Sequence, residues 1–282
     1  MTRDLPTQGQ LVRAGFRRGE HALGQLTALG GPGLALLPIL GRAADPDLAL
    51  DGLVTLTERV DDGPGMLAEL ADDEGTAMRL IGVLGASTAL ADHLHRHPEH
   101  WRELTDPTLG STRPVAQAVR ASLLTAVGAD PEDPTPHAGL PDRAAVDALR
   151  VEYRRILLRM ASRDLAHHVG VDDIAAELSD LAAGTLDAAL AIARVRVGAA
   201  AGSARLAVVA MGKCGGHELN YVSDVDVIFV YEPVDDAPDT VAARAATQLA
   251  SQMMQICSDH TAEGTIWPVD AALRPEGTAG HL

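Results

Sequence analysis

The run Leu206-Ala207-Val208-Val209-Ala210-Met211-Gly212-Lys213-Cys214-Gly215-Gly216, continued by Ser223-Asp224-Val225-Asp226-Val227-Ile228-Phe229-Val230-Tyr231, decides how this chain is read. The segment Leu206 to Met211 is continuously apolar and closed by Gly212, while Val225 to Tyr231 is β-branched and aromatic, so both predict strands. Asp224 and Asp226 stand two apart at the start of the second strand. Successive side chains alternate across a strand, so the two carboxylates share a face, with their Cα atoms about 7 Å apart. Such a pair repels itself unless a cation lies between, and it suits Mg²⁺. On its own the Asp-x-Asp pattern is more often a solvent-facing strand edge.

The residues around it add weight. Gly212-Lys213-Cys214-Gly215-Gly216 reads as a turn whose backbone N–H groups can approach a phosphate, with a lysine beside them. It has neither the G-x-x-x-x-G-K-[ST] spacing of a P-loop nor G-x-G-x-x-G. Lys213 is the chain's one lysine and Asn220 its one asparagine, and both fall in this short window. For Lys213 the need is a compact, mobile ammonium on a phosphate. Thr265 to Leu273 reads as a third strand carrying Asp270 between Val269 and Ala271, and then comes Leu273-Arg274-Pro275-Glu276-Gly277. If that strand lies beside Val225 to Tyr231, Asp270 completes a three-carboxylate cluster, which packing rarely requires and a metal explains. Arg274 is then placed either to meet a phosphate or to neutralise Glu276.

Upstream of this block the period changes. From Ala14 to about Val197 the chain reads as successive amphipathic helices, with breaks at Gly30-Gly31-Pro32-Gly33 and over the proline-rich Gly128 to Pro141. Ala145, Leu149, Tyr153, Ile156, Leu157 and Met160 recur at helical spacing, predicting one long helix over Asp142 to Ala166. Its arginines Arg154, Arg155, Arg159 and Arg163 read as a salt-bridged face. Asp172 or Asp173 caps the next helix, running toward Val195, and another is expected over about Thr240 to Cys257. The fold class is therefore α+β: a helical region over residues 1–200, then an α/β part over 201–282.

Composition bounds the function. A hydrophobic content of 46% supports packed cores, and an aromatic content of only 2% leaves them to Ala and Leu. A net charge of −16 excludes a sequence-independent grip on nucleic acid, which needs a basic surface. Cys214 and Cys257 lie outside any C-x-x-C spacing, so no zinc site or disulfide framework is expected. With no secretory h-region and no apolar run of about 18 residues, the expected location is the cytoplasm, with no membrane partner. His93, His95, His97 and His100 cluster near Trp101, but they lack a partner motif and read as ordinary packing.

The block Gly212 to Asp226, with Val269-Asp270 and Leu273-Arg274-Pro275-Glu276-Gly277, resembles the N-terminal catalytic domain of the glutamine-synthetase adenylyltransferase/adenylyl-removing enzyme family. Arg79 to Ser87, His97 to Trp101 and Tyr153 to Leu157 extend the likeness over most of the chain. The resemblance implies that residues 201–282 are a catalytic core, incomplete at its C-terminal end, of a polymerase-β-type nucleotidyltransferase fold in which Asp224, Asp226 and Asp270 hold Mg²⁺. Gly212, Lys213, Gly215, Gly216, Ser223 and Arg274 would then bind phosphate or nucleotide. It also implies phosphorolytic removal of AMP from a tyrosine of glutamine synthetase, with phosphate entering and ADP leaving. Adenylylation from ATP would belong to a second domain, and a PII signal protein is a further expected partner. Uridylyl transfer to a signal protein and silent docking on glutamine synthetase are the alternatives. The chain departs from the family pattern at Ala272, where an arginine is common, and at Cys214, where leucine is frequent and a buried apolar filler is expected.

Overall fold

A computed structural model of the chain describes residues 5–109, 113–166 and 169–272. The chain gathers into two compact units, Met1–Thr112 with Leu157–Gly170, and Arg113–Ile156 with Val171–Leu282.

The first unit is built from short helices: α1 (Gln8–Arg13), α2 (Gly19–Ala35), α3 (Leu37–Leu40), α4 (Pro46–Arg59), α5 (Gly63–Asp72), α6 (Glu74–Ala86), α7 (Thr88–Arg96) and a 3-10 helix, Pro98–Thr105. Their starts are written in the sequence. Asp45, Asp62, Asp73 and Ser87 each accept a hydrogen bond from a backbone N–H in the first turn that follows, which satisfies donors a helix leaves open. Asp73 ends α5 and caps α6, and Ser87 does the same between α6 and α7, so these helices turn on single residues. The core is leucine on leucine, with Leu50, Leu53 and Leu56 of α4 and Leu80 and Leu84 of α6 fully buried. The glycine cluster breaks the helix as expected: Gly30 takes the non-helical φ 71°, ψ −154°, so the span of α2 is two helical pieces meeting at a kink.

The second unit holds α8 (Ala116–Ala126), α10 (Val171–Val197), α12 (Asp239–Ser258) and the start of α9 (Asp142–Leu165), which passes into the other unit at Leu157. Between Ala126 and Asp142 the proline-rich segment forms no helix. A 3-10 turn, Gly198–Ser203, leads from α10 to the sheet. Strand β1 (Ala204–Ala210) pairs antiparallel with β2 (Val225–Pro233), and β2 pairs in parallel with β3 (Val269–Asp270), in the order β1-β2-β3. A parallel pair needs a crossover between its strands, and α12 supplies it. Small residues let α12 lie close on the sheet: Ala242, Ala245 and Ala246 pack with Ala204 and Leu206. The buried Val225 and Val227 mark the covered face of β2. Alternation then sends Asp226, Ile228 and Val230 to the opposite face, with Ala207 and Val209 beside them.

The α+β class is the one the sequence announced. The third strand is shorter than the expected Thr265 to Leu273, of which Leu273 lies outside the described residues. In its first part the Thr265 carbonyl accepts from Arg154 of α9, and just before it those of Glu263 and Gly264 accept from Arg154 and Arg150.

Candidate metal centre

The three aspartates of interest come from two neighbouring strands. Asp226 lies inside β2 between the fully buried Val225 and Val227, and Asp224 immediately precedes that strand and is exposed. On β3 the register partner of Val225 is Val269, and that of Asp226 is Asp270. Valine pairs with valine toward the helix, and aspartate with aspartate on the open face. Each of Asp224, Asp226 and Asp270 offers one carboxylate oxygen, and these three oxygens lie within 4.8 Å of one another. Asp270 is also aimed: its Oδ1 accepts the N–H of Ala272 at 2.7 Å, which turns the carboxylate about its own backbone.

Among the described residues this is the one group of His, Cys, Asp or Glu side chains with metal-holding geometry. Three oxygen donors, with no nitrogen or sulfur ligand, suit a hard divalent ion such as Mg²⁺. Carboxylates this close repel one another without a counter-charge between them. The donor set therefore fits a divalent cation.

The glycine segment lies between β1 and β2 and forms a single helical turn, α11 (Gly212–Gly215). The β1–β2 ladder closes just before it, where Met211 N–H donates to Asp226 O at 2.8 Å. Gly212 takes φ 51°, a conformation side chains rarely adopt, and a Cβ there would overlap Oδ2 of Asp226. Gly215 has a different reason to lack a side chain: its Cβ would sit 2.5 Å from Ala210 O. The expectation that Gly215 and Gly216 offer N–H groups to a phosphate is altered here. Gly215 N–H donates to Met211 O at 2.8 Å and Gly216 N–H to Gly212 O at 3.0 Å, so both are spent within the turn. An α-turn leaves its leading N–H groups open, and here those belong to Gly212, Lys213 and Cys214.

Lys213 is exposed and Ser223 half-buried. Cys214 is buried, and burial, with the Asp226 charge second, pushes its thiol above the ordinary range, as a packed apolar filler requires. Arg274, Glu276 and Gly277 lie outside the described residues.

Other sequence features resolve as packing. His93 is fully buried, with Nε2 2.9 Å from Nδ1 of His100, and the His93, His97 and His100 rings lie 5.1–5.5 Å apart. Arg155 pairs with Glu152 at 2.7 Å, and Arg159 with Glu103 at 2.8 Å and Asp106 at 3.1 Å, as a salt-bridged face demands. Arg154 also donates to backbone carbonyls, as does Arg150, which carried no sequence signal beyond its helix. Among the described residues no helix is long and apolar enough to cross a membrane.

Comparison with known proteins bears on the same block. The family model for glutamate-ammonia ligase adenylyltransferase matches residues 77–282. The bifunctional glutamine synthetase adenylyltransferase/adenylyl-removing enzyme of Streptomyces avermitilis is 51% identical over 250 residues, covering 88% of this chain and 23% of that protein. The protein of the same name from Streptomyces coelicolor is 49% identical over 286 residues, covering 97% of this chain and 27% of its own length. That of Cutibacterium acnes is 46% identical over 249 residues, covering 86% and 24%. The chain thus spans about a quarter of the length of the curated relatives it matches.

Proposed function

The chain belongs to the glutamate-ammonia ligase adenylyltransferase family, and on that premise we propose that it carries an Mg²⁺-dependent site for phosphorolytic deadenylylation of glutamine synthetase. The observation that supports this reading is the convergence of Asp224, Asp226 and Asp270 on one face of two paired strands, with a glycine-lysine turn beside them.

In this reading the reaction is an exchange at one phosphorus. An oxygen of inorganic phosphate bonds to the adenylyl phosphorus, the bond from that phosphorus to the tyrosine oxygen breaks, and ADP leaves. The phenolate then takes up a proton from water. Bound Mg²⁺ supplies charge neutralisation for the phosphate oxygens and the departing phenolate. The three carboxylates hold that charge in place, and Asp270 does so in an orientation fixed by its bond from Ala272. Lys213, with the leading N–H groups of the turn and Ser223, orients the phosphate, and Gly212 keeps the approach to Asp226 open. Arg274, which lies outside the described residues, is proposed as a further phosphate ligand from the family motif alone. Positioning and charge carry this chemistry, so no covalent enzyme intermediate is required. Microscopic reversibility lets the same site run both ways, and the removing direction rests on the family resemblance alone. Glutamine synthetase is the proposed protein substrate and a PII-type signal protein the proposed regulator.

The test is to give the chain adenylylated glutamine synthetase, Mg²⁺ and phosphate. ADP is expected, and its release should stop in EDTA. ADP formation that is unchanged in Asp226→Asn would refute the assignment.

A further inference from the structure

Two residues of pairing are too few to fix a strand, yet Asp270 depends on that pairing to meet Asp226. We propose that one face of α9, made by Arg150, Tyr153 and Arg154, positions Asp270 by clamping the segment that leads to it. The inference rests on the reading of the aspartate trio as a metal site.

The three residues stand at i, i+3 and i+4, so they project together from the helix. Arg150 is fully buried and its guanidinium meets four carbonyls: Val146 at 3.1 Å, Ile256 at 2.8 Å, Asp259 at 2.5 Å and Gly264 at 2.8 Å. Two of these sit at the C-terminus of α12, where carbonyls lack helical partners and the helix dipole favours a cation. Burial disfavours the charged guanidinium, and the carbonyls, with the charges of Asp147 and Asp259 nearby, offset that cost.

Arg154 continues the grip, with Nε donating to Glu263 O at 3.1 Å and Nη2 to Thr265 O at 2.9 Å. Its guanidinium occupies the space a side chain would need at Gly264, where φ is +84° and a Cβ would lie 2.5 Å from Nη2. Tyr153 is buried beside the side chain of Trp267, which stands three residues before Asp270. From the other side, Ile266 N–H donates to Cys257 O at 3.2 Å and Val225 N–H to Pro268 O at 3.1 Å. The segment 256–268 is therefore held at each step between the end of α12 and the start of β3. The clamp sets the register, and the register sets the third carboxylate.

Arg154 is the residue to change, because Arg150→Ala would leave buried carbonyls unmet and endanger the fold. The whole 282-residue chain is titrated with Mn²⁺ by electron paramagnetic resonance as wild type, Arg154→Ala and Arg154→Lys, with amide exchange measured in parallel. Arg154→Ala is expected to weaken Mn²⁺ binding about tenfold, as loss of a supporting contact does at metal sites, with Arg154→Lys intermediate. Exchange at the Val225 and Ile266 amides should quicken while the β1–β2 ladder stays protected. Unchanged Mn²⁺ affinity in Arg154→Ala overturns the clamp alone. So does weakened binding accompanied by loss of protection across β1 and β2, which marks general unfolding. A wild-type chain that does not bind Mn²⁺ overturns the metal reading and the clamp with it.

Discussion

Gly212 and Asp226 share one volume: a Cβ on the glycine would overlap Oδ2 of the aspartate. The substitution Gly212→Ala meets two obstacles at once, that overlap and a backbone held at φ 51°. Left-handed backbone costs a non-glycine residue about 1–2 kcal/mol. The variant should melt a few degrees lower and lose ADP-forming activity by at least about 100-fold, since a 1 Å displacement of a reacting group can cost that much. Activity assays beside a thermal melt check both, and a fully active Gly212→Ala would show that Asp226 has freedom to move aside.

Asp226→Asn keeps the volume of the side chain and removes one negative charge from three. Without metal, the folded chain should be as stable as wild type or slightly more so, because like charges no longer oppose one another. With Mg²⁺ present the order should reverse, while turnover falls by about 1,000-fold or more if Asp226 is a direct ligand. Melting curves with EDTA and with Mg²⁺, together with ADP release, separate the two effects.

Metal should also stabilise the second unit by mass action. At a concentration 100 times the dissociation constant, a ligand that binds only the native form contributes about 2.7 kcal/mol. A shift of roughly 5 °C is therefore expected on adding saturating Mg²⁺, for a domain of this size. The shift should vanish in a chain carrying Asp224→Asn, Asp226→Asn and Asp270→Asn together. Differential scanning fluorimetry reads it directly.

Asp73 provides the pH signature of the first unit. Its carboxylate accepts from Thr76 Oγ1 at 2.6 Å and from the N–H groups of Gly75 and Thr76, and these bonds, the hydroxyl foremost, hold it below the usual carboxylate range. A depressed folded value means that the stabilisation is present above the unfolded carboxylate range and is lost as pH falls through the folded one. Asp73→Ala should cost about 1 kcal/mol at neutral pH, as for other N-caps. The gap from wild type should close as pH falls through the depressed folded range, which urea melts across pH would show.

Both thiols should be silent in the folded chain. Burial pushes Cys257 up to about 12, against the opposing pull of Arg150, and raises Cys214 as well. The thiolate is the reactive form. Ellman's reagent at pH 8 should therefore label neither cysteine until guanidinium is added, when both react. Because the folded values are raised, this contribution to stability holds below the unfolded thiol value and declines as pH rises toward the folded one.

Much of the site was legible because it is local. The Asp224-Val225-Asp226 alternation, the apolar run before Gly212 and the helical spacing from Asp142 each need only a few neighbouring residues, and each element appears within a few residues of its expected bounds. Asp270 was legible as a carboxylate on a strand, but its closeness to Asp226 depended on pairing across a crossover. The roles of Arg150 and Arg154 could not be read, because an arginine on a helix looks the same whether it faces water, a glutamate or the carbonyls of a distant turn. The glycine turn misled for a related reason. Its composition allowed free N–H groups at Gly215 and Gly216, whereas the short helix α11 consumes them.

The pairing of Asp226 with Asp270 makes the chain intolerant of length change at one place and indulgent at another. Side chains alternate along a strand, so deleting one residue between Trp267 and Asp270 would send the valine to water and the acid toward α12. A deletion in the exposed stretch between β2 and α12 leaves that parity untouched, since the helix absorbs it before the strand begins. Naturally occurring insertions and deletions in this block should therefore collect around residues 234–238 and avoid 267–270.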